Sequence, residues 1–376
     1  GLASKLFGAD FKHLLPIIEP AGSDSACLDN ALEMLTACGR SLPHAMLMLI
    51  PEAWGVKYPM GPDRRGFFEY HSGLMEPWDG PATVAFTDGI RVGAIMDRNG
   101  LRPARYAITT AGFLVFASEA GVLQFKPGEV IERGSLRPGQ TILVDLHEKR
   151  ILRDGEIKST LARRQPYRRW VEENKIILQG FFGAVAPVKP DLERLFERQA
   201  RFGYTREELQ VILEAMATTG HEPVGSMGND APLAVFSDRP QLLFAYFKQL
   251  FAQVTNPPID SIREELVMSL MTFIGNPPNI LEESPLHARL IKLRHPVLSN
   301  DDLAQIQGLN VRDFKSHVLA TGFDPESGGE GLGLALENLR RQALSAVRDG
   351  QNLLILSDRN LGGHLAPIPS LLAVSA

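Results

Sequence analysis

The chain has 376 residues, 44% of them hydrophobic and 22% charged. That composition excludes wholesale disorder, and the length predicts two domains rather than one core. A formal net charge of -5 gives no electrostatic footprint for nucleic acid, and no apolar run reaches bilayer-spanning length.

In chain order, the first clear element is a helix from Asp24. Leu28, Leu32 and Leu35 recur at helical spacing, Gly39 supplies a stop, and Asp24 or Ser25 is the expected N-cap. The tract Ala45–Ile50 is closed by Pro51 and reads as core. The stretch ATVAFTDGIRVGAIMD predicts two strands around a tight primed turn at Asp88-Gly89. Further short strands are predicted at Arg105–Thr109, Phe113–Ala117, Glu129–Glu132 and Thr141–Asp145, so the first domain reads as α+β with a largely antiparallel sheet. Lys158–Gln179 reads as helical, and Gly180–Pro190, rich in Pro and Gly, as a linker. Helices are predicted at Arg206–Thr218, Gln241–Gln253 and Ile262–Ile274, the last broken by Asn276-Pro277-Pro278. Leu332, Leu336, Leu339 and Ala343 predict a helix to Asp349-Gly350, followed by a buried strand at Leu353–Leu356. Helix then strand is half of an α/β unit, so the second domain is expected to hold parallel strands. The expected boundaries are 1–165, a connector 166–195, and 196–376.

Few residues announce chemistry. Cys27 sits in the first turn of the predicted helix, where a thiol's pKa is lowered, but Asp24 opposes a thiolate there. Cysteine is also a common core residue, and that reading outweighs nucleophile. Asp24 either caps the helix or accepts hydrogen bonds from a ligand ammonium group; local sequence favours the cap. The nine histidines form no H-x-x-x-H pair, and Cys27 and Cys38 have no metal-ligand spacing, so no metal site is expected. Two cysteines suit a reducing compartment. The run GGEGLG at 328–333 lacks phosphate-loop spacing and reads as a flexible lead into the next helix. Asp97-Arg98-Asn99-Gly100 is a shaped turn, in which Arg98 and Arg102 either brace the loop or bind an anion. Thr255-Asn256-Pro257-Pro258 is a stiff connection, either a rigid wall or an ordinary linker.

Taken together, GSDSACLDNALEML, MDRNGLRPARY, DGEIKSTLARRQPYRRWV and the long run from Glu222 to Leu270 resemble the large subunit of glutamate synthase, nearly end to end. The first part also resembles class II glutamine amidotransferases, which use an N-terminal cysteine. The resemblance implies the C-terminal part of an αββα N-terminal-nucleophile-type sandwich, followed by part of an α/β central domain. Starting at Gly1 without Met and ending in SLLAVSA, the chain is expected to be a segment of something longer.

The family reaction hydrolyses L-glutamine, channels ammonia to 2-oxoglutarate and reduces the 2-iminoglutarate to L-glutamate. The implied nucleophile, an N-terminal cysteine, is absent, so no catalytic residue is assigned here. Asp24, at the family's G-S-D-S position together with Ser23, is the implied ligand of the glutamine ammonium. Thr255, Asn256, Pro257 and Pro258 are implied to line the ammonia passage or an interface. No cofactor is expected within the segment. The parent implies FMN and an iron–sulfur cluster, with electrons from NADPH, NADH or ferredoxin. The implied partners are glutamine, the remaining domains of the same subunit, and a small electron-transferring subunit or ferredoxin. Neither nucleic acid nor membrane is among them, and the expected location is cytoplasmic. The rival readings are a scaffold or regulatory protein that lost its nucleophile, and a simpler transferase such as a phosphoribosyl amidotransferase.

Overall fold

The computed structural model describes residues 7–55, 58–78, 80–178, 192–221, 223, 232–247, 264, 268–309, 311, 314–359 and 361–376. Its contacts divide into two compact units. The first gathers Gly1–Gln179 with Thr255–Pro296, and the second Gly180–Val254 with Val297–Ala376. The first unit is therefore discontinuous in sequence.

In the first unit, helix α1 (Asp24–Ala37) starts where the Ser23 hydroxyl accepts from the Ala26 amide at 3.4 Å. The cap is thus Ser23 and not Asp24 or Ser25, because Ser23 is the last residue in extended backbone. All eight residues of α2 (Leu42–Leu49) are buried, as expected for a helix apolar on every side. Helix α3 (Pro62–Ser72) begins with Pro62, whose fixed φ suits a first turn.

Four antiparallel strands follow in spatial order β1 (Thr83–Thr87), β2 (Arg91–Met96), β6 (Thr141–Asp145), β7 (Arg150–Arg153). Strand alternation splits this sheet cleanly. Val84, Phe86, Ile95 and Leu143 join the helices in one core. Ala94, Met96 and Ile142 pack with residues of a second sheet, ordered β4 (Leu114–Ala117), β3 (Arg105–Thr109), β5 (Val130–Ser135). At the first hairpin only Gly89 has positive φ, 82°. The Asp88 carboxylate accepts from the amides of Ile90 and Arg91 at 3.0 and 2.6 Å, giving a wider Asx-type loop in place of the expected primed turn.

Lys158–Gln179 is not one helix. It divides into α4 (Asp154–Ala162) and α5 (Tyr167–Asn174), broken at Pro166, and then strand β8 (Ile176–Ile177). Later chain returns to this unit. The residues predicted to end a helix at Ile274 instead form strand β9 (Thr272–Ile274), antiparallel to β10 (Ile291–Leu293), which runs parallel to β8. A Thr-Phe-Ile triplet is β-favouring, and pairing outweighed its weak helical spacing.

In the second unit, α6 (Leu195–Arg201) and α7 (Glu214–Thr219) precede α8 (Asn300–Gln307), which opens with a reciprocal Ser299–Asp302 capping box. Strand β11 (Ser316–Ala320), helix α9 (Gly328–Arg348) and strand β13 (Leu353–Ser357) form a parallel strand–helix–strand unit, as the sequence predicts. Strands β12 (Gly322–Phe323) and β14 (Ala366–Pro367) pair beside it, and α10 (Ser370–Ser375) closes a core of Leu319, Leu339, Ile368 and Ala373. The GGEGLG run forms the first six residues of α9 and not a loop before it. Among the described residues no helix is long and apolar enough to cross a membrane.

Candidate functional site

Asp24 occupies the first helical position of α1 and is exposed. Because Ser23 supplies the cap, and also meets the Ser25 hydroxyl at 3.1 Å, the Asp24 carboxylate takes no hydrogen bond or ion pair among the described residues. It stands at the N-terminal end of α1, where the helix dipole is positive. A free carboxylate there can receive a charge-assisted hydrogen bond from an ammonium group.

Cys27, three residues on, is half-buried, its thiol 3.9 Å from the carbonyls of Glu19 and Gly22. Burial pushes the Cys38 thiol up, which opposes reactivity. The two thiols lie on one helix and its cap. In the Asp97 turn, the buried carboxylate accepts from Asn99 and Gly100, and Arg102 donates to the Pro81 carbonyl, so this turn is internally braced. Thr255, Asn256, Pro257 and Pro258 lie outside the described residues, as do Gly180–Pro190.

The sequence reading missed a buried polar network built on residues far apart in the chain. His44 from α2 and His71 from α3 meet Nε2 to Nε2 at 2.8 Å, 27 positions apart. His71 Nδ1 donates to the Phe67 carbonyl at 2.7 Å, since a carbonyl only accepts. Neutral His71 then presents a bare Nε2, and His44 Nε2–H donates to it. Burial, with the neighbouring imidazole and arginines, lowers the His44 pKa to about 2, and burial also lowers that of His71.

Glu283 closes the network, its Oε1 lying 3.5 and 3.7 Å from the two imidazole Nε2 atoms. Tyr167 donates to that oxygen at 2.8 Å, and Arg164 is ion-paired with Glu283 Oε2. Burial pushes the Glu283 carboxyl up, but the Tyr167 hydroxyl and the Arg164 guanidinium outweigh it and hold the pKa at about 2. The local signals were polar residues inside apolar runs, His44 in LPHAMLML and His71 in FFEYHS.

His44, His71 and Glu283 form the one three-residue group among the described residues whose ligand atoms converge, within 4.8 Å. Arg164 already neutralises Glu283, and Arg40 adds a second cation nearby. Those charges oppose a divalent ion, so the arrangement acts as a hydrogen-bonded lock.

In the first unit a helical layer packs against an antiparallel sheet, and that sheet against a second one. Residues 1–170 match the family described as glutamine amidotransferases class-II, and residues 197–376 match the glutamate synthase central domain. Similar proteins are the glutamate synthase [NADPH] large chain of Bacillus subtilis, 46% identical, and ferredoxin-dependent glutamate synthase 2 of Synechocystis, 43% identical. Glutamate synthase [NADH] of Schizosaccharomyces pombe is 39% identical. These alignments cover 99%, 98% and 100% of this chain but only 24%, 24% and 18% of those proteins. The chain belongs to the glutamate synthase large-chain family.

Proposed function

We propose that the chain serves, within a longer glutamate synthase large subunit, as the C-terminal part of the glutaminase module joined to part of the central domain. The whole protein hydrolyses L-glutamine, passes the ammonia internally to 2-oxoglutarate, and reduces the resulting 2-iminoglutarate to L-glutamate. The observation that carries the glutamine assignment is Asp24: exposed, unpaired among the described residues, and set at a helix start by a neighbouring cap.

In this reading Asp24 receives the α-ammonium of glutamine, and Ser23 fixes the turn that presents it. The helices and two sheets seen here are part of an αββα sandwich. FMN and an iron–sulfur cluster belong to other parts of the longer protein. Electrons reach them from NADPH, NADH or ferredoxin, through a small subunit or directly, in a cytoplasmic setting. Thr255–Pro258 lines the ammonia passage.

The test uses the full-length protein. Asp24→Asn keeps the shape and loses the charge, so KM for glutamine rises at least about tenfold, the worth of one charge-assisted bond, while synthesis from added ammonia persists. An unchanged KM refutes the assignment. Asn256→Ala in the same assay releases free ammonia if the passage reading holds, and stays fully coupled if it does not.

A further inference from the structure

Three residues past α1, Arg40 is buried, at 4% exposure. Its Nη1 donates to the Leu281 carbonyl at 3.2 Å, and its Nη2 to the carbonyls of Ile280 and Glu282 at 2.7 and 3.4 Å. These acceptors belong to a segment some 240 positions later in the chain. Arg40 is also part of the α1 terminus: its amide donates to the Leu35 carbonyl at 3.3 Å, across a Gly39 whose φ is 90°. Arg40 and α1 therefore move as one body. With 14 residues, α1 is about 21 Å long, and Asp24 stands at its other end.

The segment that Arg40 grips is itself fixed. Tyr70 donates to the Ser284 carbonyl at 3.0 Å and accepts from the Ser284 amide at 3.1 Å. Glu283 is held by Tyr167 and Arg164, and β10 pairs with β8. Lys292 meets Glu69 at 2.7 Å. A buried guanidinium separated from its acceptors is strongly disfavoured, so wherever residues 280–282 go, Arg40 follows.

We propose that Arg40 is a positioning residue for the glutamine site, through which the segment 279–293 sets the placement of α1 and hence of Asp24. The later part of the chain thereby governs substrate binding in the earlier part. This rests on the reading of Asp24 as ammonium ligand.

The test measures glutaminase kinetics in the full-length protein for Arg40→Gln, Arg40→Lys and Asp24→Asn. Arg40→Gln raises KM for glutamine at least about fivefold, the lower end of typical site-to-site coupling, with kcat unchanged. That pattern marks lost binding rather than lost chemistry. Arg40→Lys, which keeps the charge but not the fork, gives an intermediate KM. Arg169→Ala, which breaks an exposed ion pair with Glu173 on α5, leaves KM unchanged.

An unchanged KM in either folded Arg40 variant overturns the proposal, as does a parallel fall in kcat. If Arg40→Gln does not fold, Arg40→Lys decides. If Asp24→Asn leaves KM unchanged, the ammonium reading fails first. If Asp24→Asn raises KM and neither Arg40 variant does, positioning alone fails.

Discussion

Replacing Lys158 by methionine tests a buried charge of the first unit whose three protons all have acceptors. The Lys158 side chain is 1% exposed, and its Nζ lies 2.7 Å from Glu52 Oε2, Asp154 Oδ1 and the Gly139 carbonyl, one acceptor for each ammonium proton. Methionine fills the volume and leaves all three acceptors short. Removing one partner of a buried pair costs about 3–5 kcal/mol. Here Glu52 and Asp154 keep Arg64, and Asp154 keeps the Thr141 amide, so the lower end, about 3 kcal/mol, applies. The chain's three tryptophans, Trp54, Trp78 and Trp170, all pack on the main core of this unit, so their fluorescence follows its unfolding selectively. With a urea m-value of about 3 kcal/mol/M, the midpoint falls by about 1 M. The control is Arg169→Ala, which breaks an exposed pair with Glu173 on α5 and moves the midpoint by less than about 0.2 M. A Lys158→Met shift no larger than that of the control refutes the argument from buried saturation.

The histidine pair sets an acid limit. The folded pKa values of His44 and His71 lie below the ordinary 6.5, so the unfolded chain binds more protons. Their stabilisation is complete above pH 6.5 and is lost as pH falls below it. Glu283, held at about 2, adds a further loss below its ordinary 4.5. The urea midpoint therefore falls steadily from pH 7 to pH 4, and His44→Gln flattens the upper part of that slope; a flat wild-type profile contradicts the network. At Gly66, an added Cβ would lie 2.5 Å from the Arg168 Cα, backbone that cannot step aside, so Gly66→Ala forces α3 and α5 apart. Its cost is about 3 kcal/mol, at the upper end of overpacking, whereas Gly155→Ala, with nothing within 4 Å, leaves the urea midpoint unchanged or higher.

The elements legible in the sequence were those whose signal is local. The Leu28–Leu32–Leu35 stripe, the Arg105–Thr109 and Thr141–Asp145 strands, and the helix into Leu353–Leu356 all carry their periodicity and stops within a dozen residues. Asp24 was legible as a candidate, but the helix cap was misplaced by one residue, since Ser23, Asp24 and Ser25 are all good caps and only the backbone ψ, 163° at Ser23, chooses among them. Thr272–Ile274 was misread because its partner strand comes later and makes the pairing non-local. The same holds for Glu283, whose meaning comes from His44, His71, Arg164 and Tyr167, none of them near it in sequence.

The returning segment also dictates an order of assembly. Ala288 belongs to the main hydrophobic core, and Arg40 and Tyr70 bond to its neighbours in the segment. On the ribosome, the helices and sheets up to Ile177 emerge about a hundred residues before β10 does. At 5–20 residues per second that is an interval of roughly 5–20 s during which this unit is exposed and incomplete. Cutting the gene at the family boundary near residue 170 would leave this unit without the segment that completes its core.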